Sequence, residues 1–122
     1  MQTTTAISDA LGRYLDLTSQ QMQLTASNMA NVDTPGYKTQ GIDFEHEFTK
    51  QLSESGSAPE LEEVQGSVQD VDGLVARPDG NNVSMDREGL QLAKTQLQFR
   101  LGEQLLKHEF AGVMSAIHMD GK

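Results

Sequence analysis

Apolar residues recur at helical spacing along the first quarter of the chain. Ile7, Leu11, Tyr14/Leu15, Thr18, Met22, Thr25/Ala26 and Met29 follow at intervals of three and four, with no proline and only Gly12 among the glycines. This predicts one long amphipathic helix from Ala6 to about Met29. Toward its end Thr18, Thr25 and Asn28 replace large apolar side chains. Small polar residues there suit either a close, hydrogen-bonded helix seam or an end frayed toward solvent.

The helix should stop at Asp33-Thr34-Pro35-Gly36, because proline disfavours helical geometry in the residue before it and lacks an amide hydrogen. Pro35 and Gly36 fit the two central positions of a type II turn, glycine supplying the positive φ. Tyr37 then leaves the turn as an aromatic anchor. Asp43 can cap a short helix whose Phe44, Phe48 and Leu52 form one ridge at i, i+4 and i+8.

Ser53-Glu54-Ser55-Gly56-Ser57-Ala58-Pro59 reads as a flexible connection. Beyond it Val64, Val68, Val71, Leu74 and Val75 could supply one or two short strands. After the turn signal Pro78-Asp79-Gly80, the expected start of a second long helix has Asp86 as N-cap, Glu88 in the first turn, and Met85 and Leu90 as a hydrophobic staple. No proline interrupts the chain from Arg87 to about Met119.

This second helix carries two apolar stripes. Leu90, Leu97, Leu101 and Leu105, continued by His108, Ala111 and Ser115, make one; Leu92, Phe99, Leu106, Phe110, Val113 and Ile117 make the other. Two stripes on a long helix imply two neighbours. Since the chain offers one other long helix, the second neighbour is expected from another subunit, with Phe99, Leu106, Phe110, Val113 and Ile117 as the interface stripe. The alternative is that the short helix and the mid-chain segment cover it.

The expected fold is therefore mainly α. Two long terminal helices pack antiparallel or as a coiled coil, with a short middle helix and a short irregular or β-containing segment between them. One domain spans 1–122: an N-terminal helix over 1–32, a turn, short helix and outer segment over 33–85, and a C-terminal helix over 86–119.

Composition changes this picture in one respect. Leu, Ile, Val and Phe number 27 of 122 residues, 22%, under a net charge of -9, close to the roughly 20% below which a charged chain stays disordered. Burial within one copy would barely offset the ordering entropy, so a protein partner is expected. The acid is concentrated between the helical ends, with 9 acidic and 2 basic residues over 53–89.

A pI near 4.6 argues against nucleic acid or an anionic membrane surface, both of which call for a cationic face. The absence of cysteine removes disulfides, zinc-thiolate sites and thiol nucleophiles together. No basic and apolar N-terminal signal segment is visible, and no stretch is long and apolar enough to span a membrane as a helix.

No catalytic constellation emerges. His46 lies between Glu45 and Glu47, which point in different directions on a helix, and His108 and His118 are ten residues apart; neither arrangement has metal-ligand spacing. Asp79-Gly80-Asn81-Asn82-Val83-Ser84 begins like a calcium loop but fails at its sixth and twelfth positions, Ser84 and Leu90. Asn82-Val83-Ser84 matches a glycosylation acceptor by chance. Neither a phosphate loop nor a GxSxG elbow occurs. Expected are no enzymatic activity, no cofactor, no metal, no nucleic acid and no small-molecule substrate.

Ala26-Ser27-Asn28-Met29-Ala30-Asn31-Val32-Asp33-Thr34-Pro35-Gly36-Tyr37-Lys38 resembles the N-terminal signature of the axial proteins of the bacterial flagellum, the rod and hook family, in which an Asn-x-x-Asn pair closes a helix before Thr-Pro-Gly-Tyr. Ile42-Asp43-Phe44, and Asp79 through Glu88 ahead of the last helix, resemble the proximal rod member more than its rod neighbours. The two blocks cover about a quarter of the chain. Residues 53–76 match nothing in the family.

The resemblance implies a structural subunit that polymerises through its terminal helices, transmits torque and lines the export channel. It implies a place in the basal-body rod in the periplasm, reached by type III export without a cleaved signal peptide. Implied partners are other copies of the chain, other rod proteins, the base (MS) ring and its adaptor, and the flagellar type III export apparatus. Asn28, Asn31, Thr34, Pro35, Gly36 and Tyr37 are its assembly motif: the two amides can close the helix or bond a neighbour, and the turn sets the exit direction of the outer segment. The competing readings are a small acidic helical secretion chaperone or adaptor, which has no evident use for the signature, and a neighbouring rod protein.

Overall fold

The computed structural model describes residues 6–54 and 65–120. Three helices carry the architecture: α1 (Ala6–Ala30), α2 (Phe44–Glu54) and α3 (Met85–Asp120). Two-residue strands, β1 (Gln40–Gly41) and β2 (Gln69–Asp70), pair antiparallel between them, with Gln40 opposite Asp70 and Gly41 opposite Gln69. Val68 and Val71 flank β2, as their spacing suggested; β1, with no β-branched residue, was not foreseen. Val64 lies outside the described residues.

α1 and α3 pack antiparallel, so that Asn28 near the end of α1 meets Glu88 near the start of α3. Further along, α3 lies so close to α1 that a Cβ added to Gly102 would come within 2.9 Å of both Tyr14 and Leu15. A helix-interior glycine costs about 1 kcal/mol relative to alanine. Here it permits the approach of the two helices.

The interior is polar. Among the described residues the buried apolar ones are Leu17 and Val83, whereas Thr18, Thr25, Asn28, Thr39, Asn81, Glu88 and Thr95 are wholly inaccessible. The cost of burying them is met locally. Thr18 donates to the carbonyl of Leu15 and Thr95 to that of Gln91, so these hydroxyls are satisfied by their own helices. Thr18, Thr25 and Asn28 thus line a close seam and not a frayed end.

α1, and not α3, has neighbours on two sides. α2 packs on α1, and among the described residues its backbone does not approach that of α3. Tyr14 sets its ring edge-on to Phe44 and Phe48, with centroids 5.2 and 5.6 Å apart, and Arg13 donates to Gln51 at 2.7 Å. Leu17, outside the stripe read from spacing, lies under Gly66, whose carbonyl accepts from Gln20 Nε2 and whose amide donates to Gln20 Oε1. Leu52, the third residue of the predicted ridge, is exposed.

Two capping expectations meet different outcomes. Asp43 caps α2 through the amide of His46. At α3, however, Ser84 accepts from the amide of Arg87 and is the N-cap, two residues before Asp86. The shift moves Met85 and Leu90 out of the staple positions, and both are exposed. Asp86 instead sits in the first turn beside the helix's positive end.

Candidate assembly site at the end of the first helix

The motif residues lie where α1 stops and the chain reverses. Asn31 closes the helix by donating its amide to the carbonyl of Ser27 at 2.8 Å, and its Oδ1 accepts from the hydroxyl of Thr34. The amide of Tyr37 donates to the carbonyl of Thr34 at 3.2 Å across Pro35 and Gly36, and Gly36 has φ 76°. Proline at the first central position and positive φ at the second define the type II turn expected from the residues.

Asn28 is the hub. Its Nδ2 donates to the carbonyl of Gln40 at 2.9 Å and to Glu88 Oε2 at 3.2 Å; its Oδ1 accepts from the amide of Gln40 at 2.9 Å and from the Tyr37 hydroxyl at 3.2 Å. Two donors and two acceptors exhaust what an asparagine side chain offers. Asn28 is therefore committed within its own chain. Tyr37 is an anchor as expected, and its hydroxyl also lies 3.3 Å from that of Ser27.

The second sequence block docks on the first. Asn81 Nδ2 donates to the carbonyls of Asn31 and Thr34 at 2.9 and 2.8 Å, adding a second bond to oxygens that already accept the amides of Thr34 and Tyr37, while its Oδ1 accepts from the amide of Val83. The amide of Gly36 donates to the carbonyl of Asp79, Arg77 donates to that of Val32, and Lys38 reaches that of Gly80. Thr39 donates its amide to Asn82 Oδ1 at 2.7 Å. Gly80, at φ 86°, approaches Gly36 so closely that an added Cβ would stand 3.4 Å from the Gly36 Cα.

Glu88, Asn81, Asn82 and Thr39 are the residues that reasoning from sequence did not assign a part in this site. Asn81, Asn82 and Glu88 stood inside the second block, and their pairing with the first was the missing step. Arg87 donates to Glu88 Oε1 at 2.6 Å, so the buried carboxylate has charge-assisted support from one side and an amide from the other.

The predicted interface stripe divides. Phe99, Leu106 and Val113 are half-buried on the face of α3 that also carries Glu88, Thr95 and Gly102 and therefore looks toward α1. Phe110 and Ile117 are 47% and 52% exposed. In the register set by Asn28 with Glu88 and by Leu15 with Gly102, the described part of α1 is used up near Phe110. The other stripe, Leu90, Leu97, Leu101 and Leu105, is exposed throughout, at 74%, 70%, 54% and 47%. Neither α2 nor the strands cover it.

Among the described residues no group of three or more His, Asp or Glu is placed to hold a metal. No helix is long and apolar enough to cross a membrane. Burial raises the pKa of the Tyr14 phenol above its ordinary value.

Residues 15–38, from the second half of α1 through the Pro-Gly turn, match the family model described as flagella basal body rod protein. Over most of its length the chain is similar to flagellar basal body rod proteins FlgB: 31% identical to that of Escherichia coli K12, covering 84% of this chain and 86% of the relative. Identity to the Salmonella typhimurium protein is 34%, with the same shares covered. For Borrelia hermsii it is 28%, over 86% of this chain and 90% of the relative.

Proposed function

The chain belongs to the FlgB family of flagellar basal body rod proteins, and from that premise we propose that it builds the proximal part of the rod through its two terminal helices, with the Pro35-Gly36 turn aiming the outer segment away from them. It is a structural subunit of the flagellar basal body rod. The reading as a secretion chaperone is not favoured by these relatives.

The observation that carries the assembly reading is the contrast between interior and surface. Among the described residues two large apolar side chains are buried, whereas Leu90, Leu97, Leu101, Leu105, Phe110, Met114 and Ile117 are exposed along one helix. Exposed apolar surface of that extent marks protein contacts. The chain presents outward what a self-sufficient domain would keep inside.

The finer parts of the proposal follow from the geometry. Phe99 and Leu106 hold α3 against α1 of the same chain. Phe110, Val113 and Ile117 form the part of the stripe that meets another subunit. Asn28, Asn31 and Tyr37 shape the turn instead of bonding a neighbour, since their side chains are engaged internally. The partners are further copies, other rod proteins and the base (MS) ring with its adaptor; delivery is by the type III export apparatus into the periplasm, and no catalytic role is proposed. A loosely packed, polar-seamed helix pair that opens at small cost suits passage through a narrow channel.

The deciding experiment is isolation of basal bodies from cells that carry or lack the gene for this chain. The protein should copurify with the rod, and its loss should leave the base without one and the cells non-motile. Recovery only in soluble cytosolic complexes would overturn the assignment.

A further inference from the structure

Asp-Gly occurs three times in the chain, at 72–73, 79–80 and 120–121, and Gly121 lies outside the described residues. In this pair the amide nitrogen of the second residue can reach the carboxyl of the first, because glycine has no side chain to stand in the way. What holds the two groups decides whether they meet.

The two described pairs are held differently. Asp79 Oδ1 accepts from the amide of Asn81 at 3.0 Å and lies 3.9 Å from Arg77 Nε, and the Gly80 amide is spent on the carbonyl of Arg77 at 2.8 Å. Asn81 is wholly inaccessible and Lys38 bonds the Gly80 carbonyl, so this loop is fastened on both sides of the pair. Asp72 and Gly73, by contrast, are exposed in a turn, and among the described residues neither the Asp72 carboxylate nor the Gly73 amide has a hydrogen-bond partner. Gly73 sits at φ 82° with open space where a Cβ would stand.

We propose that Asp72-Gly73 is a site of spontaneous backbone modification, passing through a succinimide to the isoaspartyl form, while the fold protects Asp79-Gly80. The Gly73 nitrogen bonds the Asp72 Cγ, a Cγ–O bond breaks, and the oxygen leaves as water with the amide proton and the proton of the carboxylic acid. Water then adds to the main-chain carbonyl of Asp72 and breaks its bond to the Gly73 nitrogen. The chain now runs through Cγ, longer by one methylene, with the former main-chain carbonyl as the free carboxylate; no electrons are exchanged. The site falls between Val71, whose amide donates to the carbonyl of Thr39 at 3.0 Å, and Arg77, which donates to that of Val32. The modification therefore changes the length of a connection fastened at both ends, whether or not the chain assembles into a rod.

The test follows the full-length protein, kept warm at neutral pH for several weeks. Electron-transfer fragmentation of its peptides distinguishes isoaspartyl from aspartyl linkages of equal mass, and methyl transfer from S-adenosylmethionine by an isoaspartyl methyltransferase labels the new carboxylate. Isoaspartate should accumulate about tenfold faster at position 72 than at position 79, where hydrogen bonds must first break. In urea, where neither turn is held, the two rates should converge. Asp72→Glu keeps the charge but demands a larger ring, and should abolish the product at this position while the circular dichroism spectrum and urea midpoint stay unchanged. Equal rates at the two positions in the folded protein, or product at position 72 only in urea, would overturn the proposal.

Discussion

Asn28 and Glu88, sixty residues apart in sequence, meet at 3.2 Å with both side chains inaccessible to solvent. This contact sets the register of α1 against α3 and joins the two blocks by which the family is recognised. Removing either partner strands a buried polar group, at about 1–3 kcal/mol for each group left without a bond. Asn28→Ala should therefore lower the urea midpoint strongly, because it also frees the amide and carbonyl of Gln40. Asn28→Asp places a second carboxylate beside Glu88 and should be as costly. Adding Glu88→Gln restores a donor opposite the new acceptor, and recovery of 0.5 kcal/mol or more in the double variant, roughly the smallest coupling expected for residues in contact, is the expected sign of direct coupling.

The turn makes a separate claim. Gly36 occupies the left-handed region with open space where a Cβ would stand, so Gly36→Ala should cost about 1 kcal/mol from backbone strain alone. Pro35→Ala/Gly36→Ala is expected to reduce rod assembly and swimming while leaving α-helical content near that of the parent. Normal swimming with the double substitution would show that the turn does not direct the outer segment.

The stripe on α3 is expected to separate by position. Leu106→Asp puts a charge into the half-buried seam with α1 and should destabilise the monomer by about 2 kcal/mol. Ile117→Asp, at an exposed site beyond the described part of α1, should leave thermal unfolding unchanged while blocking incorporation into basal bodies. Equal unfolding by both variants would make the distal stripe part of the internal core.

Alkaline conditions probe the contact of Tyr14 with Phe44 and Phe48. Burial raises the phenol's pKa, so the folded state favours the neutral ring. Below the unfolded value of about 10 both states hold the proton and the group adds no pH dependence. As pH rises through that value the unfolded chain loses its proton first, and stability falls. Tyr14→Phe should flatten this part of the stability curve above about pH 10, measured by urea unfolding.

How much of this was legible beforehand varies with the range of the interaction. The extents of α1 and α3 follow from periodicity and from the absence of proline, and the type II turn follows from Pro35 and Gly36, because each is decided by neighbours in sequence. The capping of α3 was misplaced by two residues because Ser84 and Asp86 are both good caps and only the path of the preceding loop selects Ser84. Leu17 was passed over since it belongs to a second face of α1, visible once α2 and Gly66 are seen to cover it. The number of apolar faces on α3 was readable; which of them its own chain would cover was not.

By itself, then, the sequence determined three things: the helices, the turn between the first of them and the rest, and the membership of a family of structural subunits. These depend on local conformational preference and on contiguous motifs. The tertiary structure alone decided that Asn28 turns inward to Glu88, Gln40 and Tyr37, that Asn81 caps the end of α1 from fifty residues away, and that α3 spends its Phe99 and Leu106 face on α1 while leaving Leu90 to Leu105 in water. Each is a choice among partners of equal local merit. Close packing across Gly102 and full satisfaction of the buried amides make that choice, and both require the whole chain to be in place.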